Sequence, residues 1–120
     1  MWQNEVHDFL ASLDPLRLQL VSSLGDLMGN QLELTCKLRY KVPFFYRHSW
    51  ICYLNPIKPH GIEWVFIHGK QLTNTHGLLD HKDRKQVSGI TMTAWDNNQT
   101  DLYLEILHEA LILDEFLHGK

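Results

Sequence analysis

Lys37, Arg39 and Lys41 alternate with Leu38 and Tyr40, a spacing that puts three cations on one side of an extended chain. Cations on one strand face can hold a carboxylate or phosphate through charge-assisted hydrogen bonds. Further positive charge comes from Arg47, Lys58, Lys70, Lys82, Arg84 and Lys85, in segments that read as turns or loop. Eight of the thirteen aromatic residues fall in the same stretch, from Tyr40 to Phe66. Together these suggest an aromatic-walled anion site, for which Lys37, Arg39, Lys41, Trp64 and Arg84 are the candidate ligand-binding residues. The competing account is structural: strands favour aromatics for packing, and a charged strand face discourages edge pairing.

Other chemistries have thinner support. His68, His76 and His81 gather with Asp80 and Asp83 around one segment, and imidazole with carboxylate can hold a transition metal. No HxH, HExxH or Cys–His spacing prearranges such a site, so any metal ligand set, like any cofactor, stays unknown. Asp101, Glu105 and Glu109 recur every fourth residue, with Asp114 and Glu115 beyond. This is an acidic ridge that could handle iron weakly or simply form the solvent face of a helix. No serine sits in a GxSxG setting, and Gly69-Lys70-Gln71 lacks the flanking residues of a phosphate-binding loop. Cys36 and Cys52, the only cysteines, lie in apolar strand patterns and read as buried free thiols. The expectation is therefore a protein that is not an enzyme.

The elements that must position these residues follow from hydrophobic period. Trp2, Val6, Phe9, Leu10 and Leu13 recur at helical spacing, with Asn4 as N-cap. Asp14-Pro15 restarts the chain as cap and first helical residue, and Leu16, Leu20, Val21, Leu24, Leu27 and Met28 form the next apolar stripe. Gly29-Asn30 is the expected stop. From Leu32 the period changes to two: Leu32, Leu34, Cys36, Leu38 and Tyr40 turn inward and the charged residues between them outward. Pro43 interrupts that strand. Short strands then follow at 44–46, 49–55 and 62–68, the last apolar on both faces and so internal to a sheet. Residues 69–85 read as a long polar loop with room for one helical turn. Residues 86–93 read as a strand, and 100–117 as a helix with Tyr103, Ile106, Leu107, Ala110, Leu113 and Leu117 inward. The result is one α+β domain over residues 1–120. It has an antiparallel sheet of about five strands, with two N-terminal helices and one C-terminal helix packed on it.

Composition narrows the partners. The net charge of −3 conceals a segregation: residues 1–36 sum to −4, residues 37–85 to +6 and residues 86–120 to −5. A basic centre between acidic flanks bears on encounter with partners rather than on fold. The negative total argues against nucleic acid. No run approaches a membrane span, and Met1 to Glu5 lacks the pattern of a secretory signal, so the expected address is the cytoplasm.

One ordered set of motifs runs through the chain. It comprises Tyr40-Lys41-Val42-Pro43-Phe44-Phe45-Tyr46, Trp50-Ile51-Cys52-Tyr53-Leu54-Asn55, Gly61-Ile62-Glu63 and Phe66-x-x-Gly69-x-x-Leu72. Gly77-Leu78-Leu79, Arg84-Lys85-Gln86 and Glu109-Ala110 continue it. The set resembles the YdhG-like family, long catalogued as a domain of unknown function, over about residues 15–115. The resemblance implies a small α+β fold with an antiparallel sheet and flanking helices, and carries no catalytic residue across. A bacillary branch of that family is described as frataxin-like and linked to intracellular iron delivery.

Three functional expectations result. The first is a non-enzymatic binding domain for a small anionic ligand or an acidic protein partner. The second is a frataxin-like iron chaperone using the acidic last helix or the loop histidines. The third is a homodimer in which acidic helices of one copy meet the basic sheet of another.

Overall fold

The computed structural model describes residues 4–119. Helix α1 spans Asn4–Ala11 and helix α2 Pro15–Gly25, separated by the Asp14-Pro15 restart. The Asp14 side chain accepts from the Arg17 backbone N–H at 2.8 Å, the N-cap bond that ends one helix and starts the next. Trp2 lies outside the described residues. Gly29-Asn30 does not stop the second helix. The chain widens instead into a π-helical segment, Asp26–Gln31, and the left-handed conformation falls on Glu33, with φ 58°. The first strand then begins at Thr35, three residues later than the alternation from Leu32 implies.

Five antiparallel strands follow in meander order: β1 Thr35–Arg39, β2 Val42–Tyr46, β3 Trp50–Pro56, β4 Ile62–Phe66 and β5 Ser88–Met92. Helix α3, Thr100–His118, closes the chain. The architecture is the α+β arrangement anticipated from the hydrophobic pattern.

Alternation places Leu34 and Cys36 in the core as expected, but not Tyr40, which is 80% exposed. Tyr40 and Lys41 are the two central residues of the β1–β2 hairpin, both left-handed at φ 52° and 67°. Such a turn matches strand twist and ordinarily recruits Asn or Gly. Pro43 lies within β2 opposite Leu38, where pairing to β3 has already ended, so its missing N–H leaves no gap in that ladder.

The helices cover one face of the sheet. Cys36, Phe45, Cys52, Leu54, Ile62, Trp64, Phe66, Ile90 and Met92 meet Leu20, Leu24, Met28, Tyr103, Ile106 and Leu107 in a single core. All five residues of β4 are buried, in keeping with its internal position. Helix α3 turns Leu117 outward at 40% exposure, contrary to its place on the expected stripe, and buries Asp114 at 1%. Among the described residues, no helix is long and apolar enough to cross a membrane.

Candidate functional site

The face of the sheet turned away from the helices carries the candidate site. Register defines it: Lys37 stands opposite Phe44, Phe44 opposite Tyr53, Tyr53 opposite Val65 and Val65 opposite Gly89, so these residues share one side. Arg39 is two residues along from Lys37 on that side. Its guanidinium carbon lies 4.4 Å from the centroid of Trp50, 5.1 Å from Phe44 and 5.2 Å from Tyr40. Each contact lies within the range in which a cation is drawn to the negative face of an aromatic ring. Among the described residues, no carboxylate lies within ion-pair distance of Arg39.

Trp50 reaches this side because β3 is irregular. Phe45 pairs with Cys52 but Tyr46 pairs with Trp50, so one extra residue is accommodated and the strand is re-aimed. Strict alternation would send Trp50 inward with Cys52 and Leu54. The bulge leaves Ile51 and Cys52 buried in succession, and Trp50 meets Tyr46 at 5.2 Å and Phe44 at 5.7 Å. Phe44 and Tyr53 stack at 4.6 Å with 20° between their planes. Between Arg39, Tyr40, Phe44, Tyr53 and Asn55 lies a cleft of about 460 Å³. A second hollow of about 390 Å³ adjoins Lys37, Tyr46 and Trp50.

Over β4 and β5 the same face is closed. Glu63, only 4% exposed, accepts Arg84 Nη1 on Oε1 at 3.2 Å and Arg84 Nη2 on Oε2 at 2.7 Å. Lys82 Nζ lies 3.6 Å from the same carboxylate and 3.4 Å from Thr91 Oγ1. Gly89 makes room for this arrangement, since a Cβ there would lie 2.8 Å from Glu63 Cδ. The forked pair reinforces the Arg84 charge, against the smaller opposing effect of its burial. Burial pushes the Tyr53 phenol up despite nearby Arg84, so that it stays protonated at neutral pH as a hydrogen-bond donor.

Of the five candidate residues, Lys37 and Arg39 therefore stand together on the open side. Arg84 shares that side but is engaged by Glu63. Lys41 does not continue the row, because the left-handed turn at Tyr40-Lys41 ends the strand before it. Trp64 is fully buried on the opposite face, 4.8 Å from Phe66 and 5.9 Å from Tyr103, and contributes nothing to an exposed wall. Trp50 takes the place that Trp64 was expected to fill: Trp64 is buried by its regular pairing with Leu54, and the bulge, invisible in the residue pattern, turns Trp50 outward.

The other candidate chemistries disperse. His76 meets Glu105 at 3.1 Å, His68 meets Gln86 at 2.9 Å, and His81 Nδ1 contacts Ser88 Oγ. Among the described residues, no three His, Cys, Asp or Glu side chains gather as a metal site would require. The acidic ridge of α3 is largely committed to holding neighbouring segments. Glu109 accepts from Thr73 N at 2.8 Å and Thr73 Oγ1 at 3.1 Å. Asp114 accepts from the His48 and Ser49 backbone N–H groups at 2.9 and 3.1 Å and from Ser49 Oγ at 2.5 Å, capping the β2–β3 turn. Cys36 and Cys52 are free thiols pushed up to about 12, chiefly by burial. The Trp64 Nε1–H, which has no hydrogen-bond partner of good geometry, lies near enough to Cys52 to oppose that rise in small part.

No family model matches the chain, and neither a curated protein nor a solved structure does.

Proposed function

We propose that this is a YdhG-like, non-enzymatic cytoplasmic binding domain that holds a small anionic ligand or an acidic partner on the open half of its sheet. The observation that carries this reading is Arg39, a guanidinium seated among three aromatic rings with no carboxylate partner among the described residues. Lys37, exposed on the same side, adds a second positive charge. Binding is favoured over catalysis because the thiols are buried and protonated, and the hydroxyl beside His81 belongs to fully buried Ser88. None of these groups offers a nucleophile to solvent.

Thermal stabilisation across a panel of anionic metabolites tests the proposal. Lys37→Glu combined with Arg39→Glu should abolish any stabilisation that the unaltered protein shows. An unchanged response would remove this face from consideration. Anaerobic titration with ferrous iron addresses the iron-delivery role implied by the family resemblance. Affinity tighter than millimolar, about −4 kcal/mol, that Glu105→Gln with Glu109→Gln eliminates would favour iron instead.

A further inference from the structure

Resting on that binding role, we infer that the cleft beside Arg39 takes a planar aromatic or heteroaromatic ring bearing a phosphate or carboxylate, in preference to a flexible anion. Its aromatic lining is rigid at the base, where buried Phe44 stacks on Tyr53 at 20°, and open at the rim, where Tyr40 has 80% of its surface in water. A ring laid against Tyr40 covers apolar surface that the fold itself leaves uncovered, whereas an acyclic anion covers little of it. The volume of about 460 Å³ falls in the range of small-molecule sites.

The polar groups are few and placed to orient such a ligand. Arg39 is already steadied by its three rings, so its fork of donors meets an anionic oxygen group with little further loss of freedom. Asn55 is half-buried at the cleft, and its side chain has no hydrogen-bond partner among the described residues. A free carboxamide offers a donor and an acceptor side by side, the complement of a heteroaromatic edge. The Tyr53 hydroxyl adds one more donor. An anion at Arg39, a ring against Tyr40 and an edge at Asn55 together engage the cation and the free carboxamide, with the Tyr53 hydroxyl left to a further acceptor.

Amide-resolved NMR titration of the full chain separates this inference from the proposal beneath it. The probes are adenosine 5′-monophosphate, indole-3-acetate, adenosine, inorganic phosphate and citrate. At least one of the two ring-bearing anions should bind tenfold or more tighter than phosphate or citrate, with shifts centred on Tyr40, Phe44, Tyr53 and Asn55. Tyr40→Ala, at an exposed turn, should weaken that binding at least fivefold, and Arg39→Met at least tenfold. A preference for the monophosphate identifies a nucleotide-like source, and a preference for the acetate an aryl carboxylate. Equal affinity for citrate, phosphate and the ring-bearing anions would overturn the planar-ring inference and leave an anion site standing. Adenosine binding as tightly as its monophosphate would overturn the anion role itself, and no binding by any probe would overturn both.

Discussion

Arg39 projects from one face of the sheet, Arg84 lies over the same face from the β4–β5 connection, and the two meet opposite circumstances. Arg84 is gripped by Glu63 in a forked pair, with Lys82 beside it, and the segment that carries both cations is held down over β4 and β5. Among the described residues, Arg39 is held by the faces of aromatic rings alone, which attract its charge without neutralising it. A carboxylate settles a guanidinium within the fold, and aromatic rings orient it while leaving its charge available. The difference between the two halves of the face is therefore the presence of Glu63 in one, not the number of cations in either.

The comparison can be broken most directly at Glu63. Glu63→Ala leaves Arg84 and Lys82 beside an empty, buried site, and should cost about 3 kcal/mol in urea unfolding. A loss below about 1 kcal/mol would mean that Arg84 is as loosely held as Arg39. Asp114→Ala removes the cap that fixes the β2–β3 turn and leaves two backbone N–H groups unpaired, so about 2 kcal/mol should be lost. In that variant the Trp50 indole resonance should move most among the four tryptophans. Arg39→Met should change stability by no more than about 1 kcal/mol, the scale of partly exposed cation–ring contacts, while removing anion binding. A large destabilisation would reclassify Arg39 as a structural residue like Arg84.

The smallest effect concerns pH. Neither guanidinium changes charge in the accessible range, so sensitivity near neutrality must come from elsewhere. His68 is held below its ordinary value by burial first and by nearby His118 second, with Asp114 opposing. The unfolded chain therefore takes up the proton first. The contribution of His68 is full above the ordinary value of about 6.5 and is lost as the pH falls towards and through its own lower value. His68→Gln should flatten the melting temperature between about pH 7 and pH 5, measured against the unaltered protein. Anion binding by Arg39 should keep its own pH profile in that variant.

What was legible in the sequence is what short-range pattern encodes. Asp14-Pro15 announced a helix start because cap and first-turn chemistry are local. The alternation at Leu34, Cys36, Lys37 and Arg39 assigned the two sides of β1, and the doubly apolar run at 62–68 marked an internal strand, observed as Ile62–Phe66. The turn at Tyr40-Lys41 was hidden because neither residue is one that left-handed turns usually recruit. Glu63 and Arg84 are twenty-one residues apart, and nothing in either segment signals that a loop folds back to join them. The outward facing of Trp50 depends on a single inserted residue, which inverts its phase relative to the rest of β3.

That inversion gives Asp114 a consequence beyond capping. The strand leaving the β2–β3 turn can be read in two phases, odd residues up or even residues up, and one residue of slippage exchanges them. The cap comes from the helix layer, on the far side of the sheet from the cleft, and grips the turn at His48 and Ser49, immediately before the bulge. Parity on the front of the sheet is thus locked from behind. The C-terminal helix fixes the turn from which Trp50 enters the open face.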